Sequence, residues 1–318
     1  MTELSPSVIP TEYDLRRRTI GYALYIAGTL LFALNGTVVK TILLSGVSVA
    51  RLSEIRAGGA FVVLFIAVAI WRPKALKIHR SEWPLLLAYG VIGLSMTQFL
   101  YFVAIERLPI GIALIIEFTA PIFVVLWARF GQKKPVRSTV WVGLALALVG
   151  LALIAQVWRG FVLNGIGVLA AFGAALALAL FYVLGEQQQR TGVKRDALSL
   201  TMWGMGGATL FWTIAAPWWT FPWTEFAGTS AALAGSGPQL PIPALTAWMV
   251  IMGTVIPFTL AMTSLLYITA SQASIVGMLE PVFASVIAWV ALAEVLAPAQ
   301  IVGGLVVLAG VYLAERGR

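Results

Sequence analysis

Two short stretches put a carboxylate where the surrounding residues argue against one: GIALIIEFTAP at 111–121 and GMLEP at 277–281. Each holds a glutamate, Glu117 or Glu280, closely followed by a proline, Pro121 or Pro281, inside an apolar run. An acid inside a membrane is costly unless it faces protein or a wet cavity, so such a group is a candidate for binding a solute or carrying a proton. A proline within a helix frees the carbonyl four residues earlier. For Pro121 that carbonyl belongs to Glu117 itself; for Pro281 it belongs to Gly277, one turn from Glu280. Side-chain and backbone acceptors would then converge on one place. The alternative is that both acids are hydrogen-bonded packing devices and both prolines plain kinks.

The elements that must position these groups follow from composition. Of 318 residues, 60% are apolar and 11% charged, and the apolar residues form long blocks. A bilayer core of about 30 Å takes roughly 20 helical residues. Ten blocks are expected, near 20–44, 48–71, 83–105, 109–128, 139–158, 164–185, 198–219, 244–267, 272–292 and 298–314. Glu117 lies eight residues after Pro109, and Glu280 eight after Gln272. At 1.5 Å per residue each is about 12 Å deep, entering from opposite faces.

The net charge of +8 does not signal nucleic acid, because the basic residues sit between the blocks. With the chain starting inside, sixteen of the 21 Lys and Arg fall on the cytoplasmic side, a strong positive-inside bias. That predicts a multi-pass protein of the cytoplasmic (inner) membrane with both termini cytoplasmic. The first block follows Arg16–Arg18 and has no small-residue cleavage site, so it reads as a retained helix. There is no cysteine, which removes disulfide and thiol chemistry.

The chain also repeats itself. A shift of 160 puts Pro121 on Pro281, Phe123 on Phe283, Gly143 on Gly303 and Gly150 on Gly310; a shift of 148 puts GGA 58–60 on GGA 206–208. The extra residues of the second copy belong to the loop 220–243, which has no Lys or Arg and is placed outside. Five helices per copy is an odd number, so the copies are inverted, as in many secondary transporters. The expected organisation is a cytoplasmic tail, 1–19, a first repeat, 20–158, and a second, 164–314. The paired glycines, seven residues apart, should let helices approach closely; a homodimer contact through the fifth or tenth helix is the other use for them. Trp218, Trp219 and Trp223 fit an interfacial aromatic belt.

LEPVFASVIAWVALAEVLAPAQIVGGLVVLAGVYL at 279–313, its weaker echo from FTAPIFVVL to VGLALALVGLALI, and the region of Lys40 and IRAGGAF together resemble the EamA-type branch of the drug/metabolite transporter superfamily. The resemblance covers nearly the whole chain. It implies a ten-helix exporter of small metabolites such as amino acids or drugs, with a cavity lined mainly by the first, third, fourth, sixth, eighth and ninth helices. One departure is FGQKKP at 130–135, where the first copy often has a Gly-Glu pair; here Lys134 aligns with Glu294. On the cavity helices the polar residues Asn35, Thr97, Gln98, Tyr101, Tyr182, Thr254 and Thr259 are the candidate solute contacts. Arg56 and Lys40 are candidate charge partners. Arg56 either sits about 13 Å deep, level with Glu117, or stays at the interface with RLSEIR while Ile55 to Trp71 spans alone; Lys40 either faces the cavity or snorkels outward.

An enzyme is disfavoured: the only histidine, His79, lies in a basic loop, and no nucleophile–base pair or metal-ligand spacing is present. No cofactor and no metal are expected. The reading is thus an all-α integral membrane protein of ten transmembrane helices in two inverted five-helix repeats. It moves a small-molecule solute by alternating access, with a proton as the candidate coupling ion and the lipid bilayer as its surroundings. A channel or a non-transporting signalling or scaffold protein is the competing class.

Overall fold

The structure, a computed structural model, describes residues 12–105, 107–108, 110–159, 164–190, 195–230, 239–292 and 297–316. Among them the expected ten helices are present: α1 (Glu12–Leu44), α2 (Val49–Trp71), α3 (Trp83–Ile105), α4 in two pieces (Ile110–Glu117 and Ala120–Leu126, running on to Gly131), α5 (Ser138–Ile154), α6 (Gly165–Arg190), α7 (Ala197–Ala215), α8 (Ile242–Ser264), α9 in two pieces (Ala270–Gly277 and Glu280–Leu292) and α10 (Pro298–Arg316). The first helix begins about two turns before its apolar run, so Arg16–Arg18 are helical. The chain is an all-α integral membrane protein built as two inverted five-helix repeats.

The inversion is written in the contacts. A Cβ built on Gly143 would lie 2.6 Å from the Gly310 carbonyl oxygen, and one on Gly303 would lie 2.7 Å from that of Gly150. These contacts exchange when 160 is added to one partner and subtracted from the other, which is what a two-fold relation between antiparallel α5 and α10 requires. No side chain fits there, so backbone meets backbone and dispersion and Cα–H···O contacts hold the pair. These glycine faces are therefore used inside one chain. A second exchange relates α1, α3, α6 and α8: Gly253 meets the Asn35 side chain, and Gly93, its counterpart at 160, meets Phe181. Both glycines lie in π-helical turns, Tyr89–Met96 and Ile251–Val255, a local widening common at functional positions.

Helices α2 and α7 are pinned at both ends. Their N-caps, Ser48 and Asp196, are related by the shift of 148, and each accepts the amide three residues on. At the face bearing the termini Arg195 binds Glu82 through Nε (3.0 Å) and Nη2 (2.9 Å), and donates to the Ala75 and Lys77 carbonyls and to Ser199. Burial alone would raise the Glu82 carboxyl, but the hydrogen bonds from Arg195 and the His79 amide, with the Arg195 charge, outweigh it and hold the group below its ordinary value. At the opposite face Arg51 pairs with Glu54 at 2.8 Å and donates to the Pro217 and Thr220 carbonyls. Trp218 turns inward against Gly58, while Trp219 and Trp223 stay exposed. The loop beyond them closes on a bridge between Thr229 and Pro241.

Candidate functional site

The two prolines break their helices at equivalent places. The first piece of α4 ends at Glu117 and the second starts at Ala120; the pieces of α9 end at Gly277 and restart at Glu280. All four boundaries match at a shift of 160. Phe118–Thr119 and Met278–Leu279 turn with short i→i+3 bonds, Thr119 to Ile116 and Leu279 to Val276. The second pieces resume with Pro121 and Pro281, both buried, near the helix start, where a missing N–H costs nothing. Glu117 is thus the last residue before one break and Glu280 the first after the other. The acids are not repeat equivalents, since Glu117 aligns with Gly277 and Glu280 with Ala120.

Both carboxylates open on one central cavity of about 200 Å³. Asn35, Arg56, Thr97, Gln98, Tyr101 and Tyr182 line the same space, so the structure brings together most of the residues singled out from sequence. Among the described residues neither acid has a protein hydrogen-bond partner. α2 joins the expected lining helices through Arg56.

Arg56 is buried, 9% exposed, well inside α2 rather than at an interface. Its Nε donates to Thr254 Oγ1 at 2.9 Å, one Nη to Gln98 Oε1 at 2.6 Å, and the other, more weakly, to the Gly253 carbonyl at 3.4 Å. The Phe258 ring lies 5.8 Å from the guanidinium. Glu117, level with Arg56 by residue count, is not its direct partner; among the described residues neither Glu117 nor Glu280 forms an ion pair with it. Three of the five guanidinium N–H groups are thus occupied by neutral acceptors, leaving two for something else.

Other expectations fare differently. Thr254 is fully buried and lines a void of about 30 Å³ behind Arg56. Thr259 returns its hydroxyl to the Val255 carbonyl and lies outside the central cavity. Lys40 falls within α1, but its side chain, like Glu294, lies outside the described residues. Tyr25 and Thr29 line the cavity without having been singled out. Stepping back along α1 from Asn35 by helical spacing gives Phe32, Thr29 and Tyr25, a stripe that would have found them.

Two inverted bundles, helices broken at the centre and a cavity lined by residues of both repeats are the arrangement of many membrane transporters. The chain matches the model of the EamA-like transporter family over residues 19–156 and 165–315; it belongs to that family, and it is a membrane transporter. It is 27% identical over 253 residues to the threonine/homoserine exporter RhtA of Escherichia coli (strain K12), covering 79% of this chain and 76% of that protein. The uncharacterized transporter YdfC of Bacillus subtilis (strain 168) is 23% identical over 259 residues, covering 80% and 77%. A solved crystal structure with 15% identity superposes with a TM-score of 0.75 over 94% of this chain and 97% of its own. The relatives' names are those of transporters, not enzymes.

Proposed function

We propose that the chain exports a small zwitterionic solute of the amino-acid class across the cytoplasmic membrane, by alternating access and coupled to protons, with both termini cytoplasmic. The observation that carries this is the composition of one cavity wall. Two carboxylates with no protein hydrogen-bond partner among the described residues share it with a guanidinium held by neutral groups. An α-ammonium fits the acids and an α-carboxylate fits the two remaining Arg56 N–H groups, a charge-assisted and directional contact. Asn35, Gln98 and Tyr101 supply hydrogen bonds around it. The volume favours a metabolite over a drug, since sites for drug-sized ligands typically run from roughly 300 to 1,000 Å³. The names of the RhtA relatives point to the same class.

The repeats 20–158 and 164–314 rock about the paired breaks, and at least one of Glu117 and Glu280 takes up a proton in one orientation and releases it in the other. A carboxylate between apolar helices and a wet cavity has two settings of very different cost, which is what coupling needs.

Counterflow of labelled threonine in vesicles containing the purified protein tests the reading. Exchange that saturates, and that Arg56→Gln abolishes while Arg56→Lys retains in part, is the expected outcome. Flux that neither saturates nor shows counterflow indicates a channel; absence of flux for every amino acid tried overturns the substrate class.

A further inference from the structure

A second cavity, of about 330 Å³, lies on the side of the central one that faces the termini. The same three helices line both. On α4, Glu117 faces the central cavity and Trp127 the second; on α6, Tyr182 and then Glu186, one turn further; on α9, Glu280 and Ser271. The two spaces therefore lie one after the other along α4, α6 and α9. Both helix breaks, 118–119 and 278–279, fall at the boundary between them.

Beside the α9 break, on the wall of the central cavity, stands a pair of tyrosines. The Tyr25 hydroxyl of α1 and the Tyr182 hydroxyl of α6 are hydrogen-bonded to each other, with both side chains buried. Gly277 closes the floor: a Cβ there would lie 2.8 Å from the Tyr182 oxygen and 3.3 Å from that of Tyr25. The first helices of the two repeats are thus joined by this bond over the residue where α9 breaks. A local shift of α1 against α6 at this level parts the bond.

We propose that Tyr25 and Tyr182 form the gate between the central cavity and the second cavity, which is the site where the solute first binds from the face bearing the termini. Lys134 and Arg137 at its rim present positive charge suited to the carboxylate of the same zwitterionic class. The proposal rests on the transporter reading above, but its test does not use a solute.

The chain has no cysteine, so single thiols report access directly. Leu178→Cys lies in the central cavity and Ser271→Cys in the second. Each is reconstituted and exposed to an impermeant thiol reagent on the face bearing the termini, identified by the reaction of Arg80→Cys, an exposed loop position. With both tyrosines intact, Ser271→Cys reacts readily and Leu178→Cys slowly. Adding Tyr25→Phe raises the Leu178→Cys rate about five-fold, the weight of one hydrogen bond, and leaves the Ser271→Cys rate unchanged. Tyr182→Phe gives the same result, because the bond needs both hydroxyls. Equal reactivity at the two positions with intact tyrosines, or a Leu178→Cys rate that neither phenylalanine changes, overturns the gate. Failure of threonine counterflow alone would strike the substrate class and leave these rates as they are.

Discussion

Removing one member of the Glu82–Arg195 pair should cost far more than removing both. Both side chains are only 5% exposed, so Glu82→Met strands a buried guanidinium without its counter-charge, a loss of about 3–5 kcal/mol. In Glu82→Met/Arg195→Met the stranded charge is gone. The Ala75 carbonyl keeps the Ser199 hydroxyl at 2.9 Å, leaving chiefly the Lys77 carbonyl and the His79 amide, which loses Glu82 as its acceptor, to be resatisfied, at about 1 kcal/mol each. Unfolding by dodecyl sulfate in mixed micelles measures all three proteins and the Arg195→Met single variant. Acid adds a second signature. The Glu82 carboxyl is held below its ordinary value, 4.5, so its stabilisation is complete above that pH and fades as pH falls through the lower folded value. The difference between the parent and Glu82→Gln should therefore shrink on acidification and be constant above about pH 6. A double variant no more stable than the worse single, or a difference that grows in acid, refutes the reasoning.

Gly150→Ala places a methyl 2.6 Å from the Val307 amide nitrogen and 2.7 Å from the Gly303 oxygen, forcing α5 and α10 apart at about 1–3 kcal/mol; Gly36→Ala, with nothing within 4 Å, should leave the unfolding midpoint unchanged. Pro281→Ala restores an N–H at the α9 break, and threonine counterflow should fall while the amount of protein in the membrane holds; unchanged flux assigns the proline to packing. Ala227→Cys should react with an impermeant reagent on intact cells and Arg80→Cys only after permeabilisation, with the reverse pattern overturning the orientation.

The helices were legible because hydrophobic length is a strong signal in a membrane, and most ends fell within a few residues of the observed ones. The paired breaks were legible because proline acts locally, so Pro121 and Pro281 marked them without tertiary information. Rotation about each helix axis was not. α2 is apolar nearly all round, and nothing in its sequence says that Arg56 turns toward Gln98 and Thr254 rather than toward an acid at equal depth. Tyr25 lies on the helical stripe through Asn35, but its hydrogen bond to Tyr182, 157 positions away, and the glycine beneath them both are tertiary features with no mark in the sequence. Contacts that exchange between repeats, such as Asn35 with Gly253 and Phe181 with Gly93, join unlike residues and leave no sequence identity to find.

The most direct test of the central claim is threonine uptake driven by an imposed pH gradient in vesicles containing Glu117→Gln, Glu280→Gln or the parent protein. Glutamine preserves shape and cannot ionise. The account predicts that at least one variant loses gradient-driven uptake while keeping counterflow, because only its proton step has gone. If both variants take up threonine like the parent across the pH range, the two acids are structural and coupling through this cavity is wrong.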